Sequence, residues 1–133
     1  MWVRVITALY LIVMVGRSAI HLFASDGGAN SIAGIDIEVE GGDNIIAIFH
    51  QWGAIQLILA VFLLVLLLHY PGFTPLILFT LALDPIMRAV AGQIKPVASE
   101  GTPPGESLNW IAFYLLSALV LVSIVERGKK KGL

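Results

Sequence analysis

GAIQLILAVFLLVLLL, residues 53–68, is the stretch whose reading decides the fold, with Gln56 its one strongly polar residue. Extended to residues 45–69, it is long enough to cross a bilayer. A spanning helix takes about 20 mostly apolar residues to cover roughly 30 Å of hydrocarbon at ~1.5 Å each. Three more stretches meet that standard. Residues 2–23 are interrupted by Arg4, Arg17 and His21, residues 75–93 contain Asp84, Pro85 and Arg88, and residues 108–125 carry no charged residue. The expectation is an all-α polytopic membrane protein, a single four-transmembrane-helix bundle over residues 1–133 with an acidic outer loop at 25–44.

Composition agrees. The chain is 58% apolar and 13% charged, which excludes a soluble globular domain. A net charge of -1 with nearly balanced acids and bases excludes a nucleic-acid binder and a disordered tail. Absence of cysteine rules out disulfides, thiol nucleophiles, Cys-ligated iron–sulfur clusters and Cys-based zinc sites. The spans leave no room for a separate catalytic domain. Arg4 ahead of an apolar run resembles a signal peptide, but Arg17 and His21 interrupt the run where a signal stays apolar, so the segment reads as a retained span.

Segment ends carry punctuation. Asp43 or Asn44 is expected to cap the second helix after the Gly41-Gly42 turn. Thr74-Pro75 reads as N-cap and N1 of the third, and Ser107 as the cap of the fourth. Trp2, Trp52, Tyr70 and Trp110 fall where aromatic belts form. The basic tail Arg127, Lys129, Lys130 and Lys131 lies opposite an outer loop with Asp26, Asp36, Glu38, Glu40 and Asp43 and no Lys or Arg. Positive-inside bias therefore places both termini in the cytoplasm and both longer loops outside. An ordinary topological anchor explains the tail with fewer assumptions than lipid recognition does. In the outer loop Ile35, Ile37 and Val39 alternate with Asp36, Glu38 and Glu40, which predicts a short strand over the mouth of the bundle. Those carboxylates lack calcium-loop spacing and read as a solvated cap.

Ionisable residues within a bilayer are costly and mark a functional site or a buried pair. Thr80, Asp84, Arg88 and Ala91 share one narrow face of the third helix, and Asp84 and Arg88 are spaced to pair. Pro85 beside them removes an N–H, crowds the Leu81 carbonyl and predicts a kink with an under-satisfied oxygen. On the first helix Thr7, Tyr10, Met14, Arg17 and His21 form another stripe. Both guanidiniums fall roughly 8–9 Å below the outer ends of their spans. On the antiparallel second helix His50, Gly53, Gln56 and Ala60 start at similar depth, and Asn109 opens the fourth. The candidate ligand-binding set is therefore Arg17, His21, His50, Gln56, Asp84, Arg88 and Asn109. Two guanidiniums against one carboxylate leave a positive charge for Glu106 or an external oxygen to balance. The rival reading is a polar core that satisfies itself, with Arg17 snorkelling outward. His21 and His50 permit a haem b, and with Glu106 a zinc site, without specifying either.

Gly16-Arg17, His50-Gln51 and the run from Arg88 to Gly92 resemble the DoxX-like superfamily of small four-helix bacterial membrane proteins. The resemblance implies residence in a bacterial inner membrane and, because some members accompany quinone-linked oxidases, an association with redox complexes. It carries no catalytic role to any residue here. Three functions stay open, and the sequence leaves undecided whether the chain is an enzyme. The leading one is a non-catalytic accessory or structural subunit of a larger or homo-oligomeric membrane complex, packing through small residues such as Gly16 and Gly92. The second is an outer-leaflet binding or redox protein for a quinone, lipid or haem. The third is a small oligomeric transporter built around Asp84-Pro85. No Ser–His–Asp set supports hydrolysis, and membrane lipid is the expected surrounding.

Overall fold

The computed structural model describes residues 2–130, the Lys130 side chain excepted; Met1 and residues 131–133, including Lys131 of the basic tail, lie outside the described residues. Helices α1 (Trp2–Phe23), α2 (Gly42–His69), α3 (Thr74–Ile94), α4 (Pro104–Ser107) and α5 (Asn109–Lys130) follow in order, with a 3-10 turn at Pro71–Phe73. All but the short α4 are long and apolar enough to cross a membrane. The chain is a small all-helical polytopic membrane protein, and its helices are consistent with a four-transmembrane-helix bundle. Both longer loops lie at one end of it, here the loop end, and Trp2 and Lys130 at the other, the terminal end.

Apolar periodicity forms these helices, and their hydroxyls return to the helix itself. Thr7 Oγ1 donates to the Val3 carbonyl at 2.8 Å and Ser18 Oγ to that of Met14 at 2.7 Å. Each is fully buried with its hydrogen-bonding need met inside its own turn, as apolar surroundings demand. α1 lies along α2 and α3 along α5, and the two pairs meet more lightly. Leu11 and Met14 of α1, Leu63 and Leu67 of α2, Leu78 and Leu81 of α3 and Leu116 of α5 interlock at the centre.

Gly53 sets the α1–α2 spacing. A Cβ there would stand 2.7 Å from the Leu22 nitrogen and 2.8 Å from the His21 carbonyl carbon. Any larger residue would push α2 off the loop end of α1. Gly16 and Gly92, expected to admit close neighbours, have nothing within 4 Å of a built Cβ.

Several expected ends are corrected. α2 starts at Gly42, and its N-cap is Gly41 in the left-handed region without a side-chain bond. Asp43 instead sits in the first turn, where its charge favours the helix dipole. Thr74 is the first residue of α3, not its cap, and its hydroxyl donates back to the Pro71 carbonyl at 2.7 Å. Ser107 belongs to α4, its hydroxyl bonded to the Pro104 carbonyl at 3.1 Å. The expected strand is absent among the described residues, although residues 34–37 run without helix or turn. Glu100 N–H donates to the Gly34 carbonyl at 2.8 Å, tying the two longer loops together. One such bond is no ladder, so alternation alone does not make a strand here.

Upstream of that segment the chain folds around Asp26. Its carboxylate accepts from the backbone N–H groups of Ser31 at 2.7 Å, Gly28 at 2.8 Å and Asn30 at 3.1 Å, and from the Ser31 hydroxyl at 3.0 Å. The Ser31 N–H above all, with those of Gly28 and Asn30 and the hydroxyl, pulls the Asp26 pKa from 3.8 down to about 2.

Candidate functional site

α1 and α2 together build the first half of the site. Arg17 Nη2 donates to Gln56 Oε1 at 2.7 Å, and its Cζ lies 5.6 Å from the centroid of the Trp52 ring. Trp52 and Gln56 are four apart on α2, hence on one face, so the guanidinium rests on a π surface at one edge and an amide oxygen at another. Neither carries a negative charge. Among the described residues Arg17 Nε is the one fully buried side-chain polar atom without a hydrogen-bond partner.

The same aromatic surface reaches His21. Its ring stands 4.7 Å from Trp52 and 5.9 Å from Phe49, and its Nδ1 is 2.7 Å from the Gly27 carbonyl. His50 Nδ1 is 2.9 Å from the Leu22 carbonyl. A carbonyl only accepts, so neutral rings here carry the proton on Nδ1 and keep Nε2 as the remaining acceptor or ligand. Both histidines thereby fasten the loop end of α1, one to the following turn and one to α2. His21, only 5% exposed, is a packed member of the aromatic cluster. The zinc set considered from the sequence is not assembled: among the described residues no three His, Asp or Glu side chains are placed to hold a metal. His21 and His50 each hold a backbone carbonyl through Nδ1, and Glu106 is exposed on α4.

α3 and α5 build the second half. Arg88 Nε donates to Asp84 Oδ2 at 3.0 Å, and Nη2 reaches the same oxygen. Their side chains are 29% and 31% exposed, so the pair sits at the flank of the bundle rather than sealed in it. α3 continues as a helix through Pro85. Asn109 Nδ2 donates to the Pro85 carbonyl at 2.8 Å, so the donor expected near the Leu81 oxygen serves the proline's own carbonyl. Arg88 Nη1 abuts Gly105 of α4, but neighbouring Glu106 makes no ion pair with it among the described residues.

The halves converge electrostatically. Arg17 of α1 feels the charges of Arg88 and Asp84 on α3, and Tyr10 feels all three. Asp84 is committed to Arg88, which leaves Arg17 with the neutral partners Gln56 and Trp52. Of the seven expected residues, Arg17 meets Gln56, Asp84 meets Arg88, and Asn109 braces Pro85. His21 and His50 serve backbone carbonyls alongside. Trp52, an interfacial anchor by position, has this second role beside Arg17, and its four-residue spacing from Gln56 is the sequence signal for it. Among the described residues, clefts also lie at the terminal end and between α3 and α5. Compared with known proteins, the chain matches no protein-family model, no curated protein and no solved structure.

Proposed function

We propose that this chain is a non-catalytic accessory protein of a bacterial inner membrane, with both termini cytoplasmic, whose outer half holds an oxygen-bearing head group from outside the chain. Arg17 carries this reading. Its guanidinium has one hydrogen bond, to a neutral amide, and a buried Nε without a partner, while Asp84, the carboxylate of the third span, is already bound to Arg88. An uncompensated charge at membrane depth is costly, and an anionic or carbonyl oxygen of a lipid or quinone relieves that cost. The DoxX-like resemblance of Gly16-Arg17, His50-Gln51 and the segment from Arg88 to Gly92 supports a place beside a larger redox assembly.

A second reading has the oxygen supplied by another protein chain. Gly16, adjacent to Arg17, is exposed with nothing within 4 Å of a built Cβ, which lets a further helix approach closely. Native mass spectrometry of protein released from membranes, followed by extraction of bound species, tests both. Wild type should retain a specific amphiphile or partner chain, Arg17→Gln should lose it, and Lys95→Gln should keep it. Identical bound species in wild type and Arg17→Gln would remove the proposal.

A further inference from the structure

We propose a second binding site at the opposite, terminal end of the bundle: a cleft that holds a phosphodiester lipid head group carrying its own hydroxyl or ammonium donors. The cleft encloses about 310 Å³, and its polar lining is Arg4, Thr74, Ser123, Glu126 and Arg127. That volume lies at the lower end of the roughly 300–1,000 Å³ typical of small-molecule sites. α1, α3, α5 and the 3-10 turn all border it, so the site exists only in the assembled bundle.

Its two guanidiniums are held in advance. Arg4 Nη2 donates to the Leu67 carbonyl at 3.2 Å, and Arg127 Nη1 donates to the Gly72 carbonyl at 3.1 Å. Each tether takes one of five N–H donors and leaves the rest for a ligand. Tethering also reduces the side-chain ordering that binding would otherwise cost. The two guanidiniums offer charge-assisted N–H donors to the oxygens of a phosphodiester monoanion.

The remaining groups ask for a donor. Thr74 Oγ1 and Ser123 Oγ both give their protons to backbone carbonyls, of Pro71 and Val120, each at 2.7 Å. Only their lone pairs remain to face a ligand. These acceptors suit the hydroxyls of a glycerol head or the ammonium of an ethanolamine head, and a trimethylated choline head offers them no N–H. Trp2, Tyr70 and Phe73, all exposed at this end, form the aromatic girdle that marks head-group depth.

The test reconstitutes the full chain in nanodiscs of equimolar phosphatidylglycerol, phosphatidylethanolamine and phosphatidylcholine, then counts retained lipids by native mass spectrometry. Wild type should retain glycerol or ethanolamine lipid in preference to choline lipid. Arg127→Gln should lower that retention about tenfold, the effect of one lost charge-assisted bond, and the Arg4→Gln/Arg127→Gln double variant further. Lys95→Gln, which removes an equal charge at the loop end, should change nothing. Added inorganic phosphate that displaces the lipid would show that the phosphate alone is recognised and overturn the donor part of the proposal. Unchanged retention in Arg127→Gln, with helicity equal to wild type by circular dichroism, would overturn the site. The Arg17 proposal stands or falls separately, because this assay leaves Arg17 intact.

Discussion

Arg17 and Arg88 are the same residue type near the same end of neighbouring helices, yet their circumstances differ. Arg88 has a carboxylate one turn away on its own helix, a local pairing that the four-residue spacing made legible. Arg17 has its partners on α2, and the polarity of Gln56 is legible in sequence while the Trp52 ring's contact with Arg17 is not, because tertiary packing chooses which face of α2 meets α1. Deleting the Arg88 guanidinium should therefore hurt in proportion to its burial. With about a third of each side chain exposed, Arg88→Ala should cost about 1–3 kcal/mol, between the surface and fully buried limits for ion pairs. Thermal unfolding in one detergent measures this, and Arg88→Ala melting no lower than Lys95→Gln would show that the pair contributes no stability.

At the scale of elements, the four spans were readable because about 20 apolar residues have few alternatives to a membrane helix. The loop of residues 25–44 was not, because alternation of Ile35, Ile37 and Val39 with acids describes only local preference. What shapes its first half is one carboxylate, Asp26, collecting the N–H groups of Ser31, Gly28 and Asn30. That arrangement predicts a pH dependence. The Asp26 pKa is lowered on folding, so its contribution is complete above the unfolded value near 3.8 and is lost as pH falls through about 2. Amide hydrogen exchange at Gly28, Asn30 and Ser31 should stay slow at pH 5, after correction for intrinsic rates, and lose protection between about pH 4 and 2. In Asp26→Asn these amides should be poorly protected throughout. Protection that ignores pH across this window would mean that the carboxylate does not hold the turn.

For the whole molecule, only 22–33% of each span's apolar window is buried within the chain, so most helix surface is left for lipid or other helices. Orientation rests on charge asymmetry, and the absence of cysteine makes it directly measurable. A cysteine at Val97, on the exposed second loop, should react with an impermeant maleimide on intact cells, and one at Lys129 only after lysis. The reverse pattern would invert the topology and move the Arg17 site to the inner half. The central claim is that Arg17 is completed from outside the chain. It is tested most directly by a density map of the protein in nanodiscs made from its native lipids, with a bound antibody fragment as fiducial. The account predicts a feature that this chain does not supply, a head group or a partner side chain, within hydrogen-bonding distance of the Arg17 guanidinium. A guanidinium enclosed by Gln56, Trp52 and its other neighbours alone, with no added density, would contradict it.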